Sequence, residues 1–144
     1  MASALPAAAQ SGADPSELKE AVAVRFNGAA LSIDGRLDDA AWKQALFVSD
    51  FRQKDPVFGA DPTERTEVAF LYDEDALYIG ARMHSSTPSE IPAALTRRDG
   101  FGRAEHLTVS IDAFLDRRTA TSFTITSGNG RRDYLTTRDA RCPR

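Results

Sequence analysis

Residues 66–83 decide the fold class: Thr66-Glu67-Val68-Ala69-Phe70-Leu71-Tyr72-Asp73-Glu74-Asp75-Ala76-Leu77-Tyr78-Ile79-Gly80-Ala81-Arg82-Met83. A period of two places Val68, Phe70 and Tyr72 on one face of a first strand. The same period places Leu77, Ile79, Ala81 and Met83 on one face of a second. Asp73-Glu74-Asp75 between them is rich in turn-forming carboxylates, so the stretch reads as a β-hairpin.

Downstream, residues 106–113 alternate most cleanly. Leu107, Val109, Ile111 and Ala113 face one way; His106, Thr108, Ser110 and Asp112 face the other. Residues 114–119 turn the chain, and Ser122 to Thr126 returns with Phe123 and Ile125 inward. Asn129-Gly130 marks another turn before Asp133-Tyr134-Leu135. The segment Ser85 to Gly102 carries Pro88, Pro92 and the run Arg97-Arg98-Asp99-Gly100, and connections of that length are often functional.

Upstream, Phe47 to Phe51 reads as a strand and Lys54 to Thr63, with Pro56, Gly59 and Pro62, as a loop. Residues 37–45 (LDDAAWKQA) form the best helical turn, expected over 38–45 with Asp38 or Asp39 as its cap. Asn27-Gly28, between Ala21–Phe26 and Leu31-Ser32-Ile33, suggests a further hairpin. About eight short strands with one brief helix predict an all-β, antiparallel β-sandwich of immunoglobulin or jelly-roll type. The expected organisation is a flexible tail over 1–20, the sandwich over 21–137 and a frayed tail over 138–144.

Composition bounds the function. With 144 residues, the length suits one ordinary domain. The single Cys142 cannot form an internal bridge. Lys+Arg of 18 against Asp+Glu of 21 leaves no basic excess for nucleic acid. No apolar run approaches the ~20 residues of a membrane-spanning helix. Ala7-Ala8-Ala9-Gln10 matches the small-residue end of an export signal, although the stretch before it is short and has no Lys or Arg; an Ala-rich tail is the other reading. Thr136 to Arg144 has no apolar alternation to complete a sheet, and the expectation is a piece of a longer protein.

Three stretches in this order carry a family resemblance: Ile33-Asp34-Gly35-Arg36-Leu37-Asp38-Asp39-Ala40-Ala41-Trp42, then Thr66-Glu67-Val68 through Leu77-Tyr78-Ile79-Gly80, then Val109-Ser110-Ile111-Asp112 with Asp116. Over residues 22 to 135 the chain resembles the family-9 carbohydrate-binding modules, β-sandwiches found beside xylanases and at the front of exported bacterial proteins. The resemblance implies a non-catalytic module binding a polysaccharide or oligosaccharide, periplasmic, outer-membrane-associated or secreted. It would deliver a glycoside hydrolase or envelope domain downstream in a longer chain. It also implies two Trp rings around the terminal sugar and structural calcium.

Sugar recognition needs flat rings for the apolar pyranose face and fixed polar groups for the hydroxyls. The chain has one Trp. Trp42, beside Ala40 and Ala41, reads as core, with Asp34 and Gly35 shaping the turn before it. The ring pair is then absent or replaced by Tyr72, Tyr78, Phe101 or Phe114, with Phe101, between two glycines, the best exposed ring. The candidate sugar site is Phe101, Tyr78, Arg98 and Asp112, with Arg98 able to fork onto a carboxylate. The candidate calcium ligands are Asp73 and Asp75, with Glu74 adjacent and Asp112 and Asp116 at a second turn. They fall short of the six to eight oxygens calcium takes. No carboxylate pair stands out for hydrolysis, and no nucleophile elbow, zinc helix or phosphate loop exists.

Two other readings stand beside this one. A sugar-free scaffold domain of an envelope protein would bind no small ligand at all. A b-type haem domain would draw axial ligands from Met83, His84 and His106, although Met83 lies on the expected inward face.

Overall fold

A computed structural model describes residues 19–28, 31–95, 97, 100 and 103–137. The protein is mostly β, with two three-stranded sheets and only two short 3-10 turns among these residues. It divides into two compact units, Met1–His84 and Ser85–Arg144.

In the first unit, β1 (Ala23–Arg25), β2 (Thr66–Tyr72) and β3 (Leu77–Met83) form one sheet in that order. β2 and β3 are the expected hairpin, antiparallel with Tyr72 opposite Leu77 and Thr66 opposite Met83. β1 joins β2 in parallel, Ala23 opposite Phe70. The hairpin expected around Asn27-Gly28 therefore does not form, because β1 takes β2 as its partner and residues 31–33 are not a strand. Phe47–Phe51 is likewise no strand. It contributes one bridge, in which Val48 and Val68 exchange N–H to carbonyl bonds of 2.9 and 3.0 Å.

The main apolar cluster lies on the face opposite to the one the alternation favoured, although Val68 on the favoured face is buried too, at 6%. Ala69 and Leu71 have no exposed surface and cluster with Phe26, Leu31 and Trp42, while Tyr72 is 39% and Met83 45% exposed. Both faces of β2 carry apolar residues, so period two could not say which one is covered. Small residues settle it: Ala69 sits opposite Gly80, and this low spot receives the Trp42 ring.

Trp42 is brought there by a 3-10 turn, Ala40–Gln44, in place of the expected helix over 38–45. Neither aspartate caps it. Asp38 accepts instead from the Arg36 guanidinium at 2.9 Å, and Asp39, at the cap position, makes no side-chain cap bond. Asp34 and Gly35 make the preceding turn. Asp34 Oδ1 accepts from the Arg36 amide at 2.9 Å, and Gly35 has φ of 84°, a conformation that favours glycine. Arg82 ties these segments to β3, donating to the Leu37 carbonyl at 3.2 Å with its guanidinium over the Phe47 ring.

In the second unit, β4 (His106–Ile111), β5 (Thr119–Thr126) and β6 (Arg131–Thr137) form an antiparallel meander. Val109 pairs with Phe123, which pairs with Asp133; Leu107 pairs with Ile125, which pairs with Arg131. Directly paired residues share a face. One face thus carries Leu107, Val109, Ile111, Phe123, Ile125, Leu135, Arg131 and Asp133.

The expected inward placing of Phe123 and Ile125 is corrected here: they are 50% and 56% exposed. The hydroxyl face is the better buried at β5, with Ser122 at 1%. Its oxygens bond across the strands, Thr108 to Thr124 and Ser110 to Ser122 at 2.8 Å each. A self-satisfied hydroxyl ladder removes the cost of burying those groups.

Candidate functional site

The residues singled out from the sequence fall in different places. Phe101 and Arg98 lie outside the described residues. Tyr78, Asp73 and Asp75 belong to the β2–β3 hairpin of the first unit, whereas Asp112 follows β4 in the second.

Tyr78 is not an open platform. Its ring meets Phe26 edge-on, 5.5 Å between centroids, and its hydroxyl donates to Asp73 Oδ2 at 2.9 Å. Asp73 Oδ1 accepts the amides of Asp75 and Ala76, both at 2.8 Å. The carboxylate thus closes the hairpin turn from inside. Its pKa is lowered, first by the Asp75 amide and then by that of Ala76. The Tyr78 hydroxyl is pushed above its usual range, mainly by its bond to Asp73.

These shifts set a pH window. A depressed carboxyl pKa gives stability that is present above the unfolded value near 3.8 and lost as pH falls through the folded value. A raised phenol pKa gives stability present below about 10 and lost as pH rises through the folded value. Melting temperature is therefore expected to fall at both extremes. In Tyr78→Phe the alkaline fall should shrink while the acid fall stays, since the backbone bonds to Asp73 remain. An alkaline fall of undiminished size in the variant would refute this coupling.

Asp112 is also committed to its own loop. Oδ1 accepts from the Phe114 and Asp116 amides at 3.2 Å each, and Oδ2 from the Arg117 amide at 2.7 Å. Asp116 continues the pattern with the amides of Arg118 and Thr119 at 2.7 and 2.8 Å and the Thr119 hydroxyl at 2.9 Å. Asp73, Asp112 and Asp116 each accept three hydrogen bonds, which leaves each one of its roughly four lone-pair sites. Among the described residues, no group of three or more His, Cys, Asp or Glu is placed to hold a metal.

Met83 and His84 are consecutive, and successive strand side chains point to opposite faces. They cannot both ligate one iron, and the His84 ring sits 3.0 Å from Glu67 Oε2. His106 is exposed at the start of β4 in the other unit.

The strongest site geometry lies where the alternation predicted core. A groove of about 700 Å³ on the second unit is lined by Phe123, Ile125, Asn129, Arg131, Arg132 and Asp133, among others. The register sets the Phe123 ring beside Asp133 and Ile125 beside Arg131. At its end, Asn129 holds φ of 59° in a turn closed by the Gly130 amide on Thr126 Oγ1 at 2.9 Å. A volume in this range suits a small organic ligand.

A signal for this site exists in the sequence. Arg131 and Asp133 are two residues apart, so they share a strand face. Once β6 is paired through the Asn129-Gly130 turn, both charges fall on the Phe123 face, and charges seldom face a closed core.

No family model, curated protein or solved structure matches the chain. Among the described residues no helix is long and apolar enough to cross a membrane.

Proposed function

We propose that the chain is a non-catalytic carbohydrate-binding module of the β-sandwich class, part of a larger exported protein that acts on or attaches to a polysaccharide. The supporting observation is the Phe123 groove. A half-exposed ring offers a face to a pyranose, and Arg131, Asp133 and Asn129 around it offer donors and acceptors for hydroxyls. The resemblance over residues 22–135 supports the same reading, together with a periplasmic, outer-membrane-associated or secreted location. In this reading Phe123 is a stacking ring and the β6 charges are polar contacts, beside the candidates Phe101 and Arg98 that lie outside the described residues.

Calorimetric titration of the full chain with xylo-, cello- and acidic oligosaccharides tests this. Saturable heat is expected for one class. In Phe123→Ala, shown folded by circular dichroism, affinity should drop by about tenfold or more, the equivalent of ~1.4 kcal/mol. Heat that is unaltered by Phe123→Ala would remove the groove from the site. An absence of heat across the whole panel would remove sugar binding.

One observation favours a second reading. Phe123, Ile125 and Leu135 are all at least half exposed on one sheet face, and contiguous exposed apolar surface marks interaction sites. A scaffold domain that docks on the rest of an envelope protein would use that face without any sugar.

A further inference from the structure

We propose that this chain locks its acidic turns with its own N–H groups and takes up no structural calcium at them. The first observation is donor direction. A calcium loop turns carboxylate and carbonyl oxygens inward onto the ion. In the loop after β4 the amides of Phe114, Asp116 and Arg117 point at the Asp112 carboxylate, and those of Arg118 and Thr119 at Asp116. Each carboxylate accepts three hydrogen bonds, two of them on Oδ1, so neither can chelate a cation through both oxygens without giving up its own donors. Chelation of that kind would orphan N–H groups and set their positive ends beside a positive ion.

The second observation is the backbone that allows this. Leu115 has φ of 53° and Arg117 of 56°, a left-handed conformation uncommon for such side chains. Left-handed residues within a right-handed turn curl successive N–H groups into one concavity, which receives negative charge. The occupant of that concavity is the chain's own Asp112. The carboxylate bonds hold the strained residues in place, the task that a bound ion would otherwise perform. Asp73 repeats the device in the β2–β3 turn, with two amides and the Tyr78 hydroxyl.

The test is the melting temperature of the full chain in EDTA and in millimolar calcium chloride, followed by circular dichroism, with a calorimetric titration of calcium chloride alone. The two temperatures are expected to agree within about 1 °C, with no saturable heat. A melting temperature that climbs with calcium concentration, as ligand linkage requires of any bound ion, would overturn the proposal. Asp112→Ala is expected to melt several degrees lower, roughly 3–6 °C, by the same amount in both buffers. A loss seen only in calcium, or no loss in either buffer, would overturn it. If that variant does not fold, Asp73→Ala provides the same comparison in the other unit.

Discussion

Trp42→Ala is expected to destabilise the first unit by about 3–5 kcal/mol, the range for truncating a large buried ring. Trp42 is 6% exposed and packs into the cluster of Phe26, Leu31, Ala69 and Leu71. Its removal leaves a void that cannot collapse easily, because the floor beneath it is Gly80 and Ala69, which have no side-chain length to move inward. Its indole N–H is buried without a hydrogen bond, a desolvation cost that the truncation relieves and that partly offsets the lost packing. As Trp42 is the only tryptophan, the variant should be followed by far-ultraviolet circular dichroism in urea. A loss below about 1 kcal/mol would show that the ring is not the keystone of this core.

Gly80→Ala probes the same contact from the other side. A Cβ at Gly80 would lie 2.7 Å from both Cη2 and Cζ3 of Trp42 and 2.9 Å from Leu37 Cδ2. Ring atoms cannot yield as the end of a flexible chain does. The expected cost is about 1–3 kcal/mol, that of overpacking a filled core. Gly80 is therefore needed for closeness of approach, since a strand interior ordinarily disfavours glycine. The two sites should couple. Trp42→Phe removes the benzo-ring atoms that the new methyl would strike, so Gly80→Ala should cost less in that background. Strictly additive effects in the double variant would contradict the contact.

The fold class was legible in the sequence because two features are local. Residues 66–83 alternate around an acidic turn, and residues 106–111 alternate without interruption; both became strands in their expected hairpins. What was not legible depends on partners far away. Val48 found one bridge on β2 and no ladder. β1 chose a parallel partner that no turn residue could announce.

The choice of buried face on β2 was set by the fit of Trp42 over Gly80, a matter of side-chain volume across separate segments. The candidate site was hidden for a related reason. Phe123 and Ile125 look inward by alternation, and only the charges opposite them on β6 show that their face is open. The turn-forming role of the aspartates was legible, and the short amide distances to Asp73 and Asp112 follow from that ordinary turn chemistry.

The parallel pairing of β1 has a consequence for the order in which the first unit assembles. β2 and β3 meet across a turn of four residues, a closure with little entropic cost. β1 must find Phe70 from Ala23, with the whole Trp42 segment looped between them. Long closures are made late. The short closure favours the hairpin first, and Ala69, Leu71 and Gly80 on it stay uncovered until the tryptophan turn and β1 are in place. During synthesis β1 leaves the ribosome well before β2, its ladder partner, so its three residues stay unpaired until Tyr72 has followed.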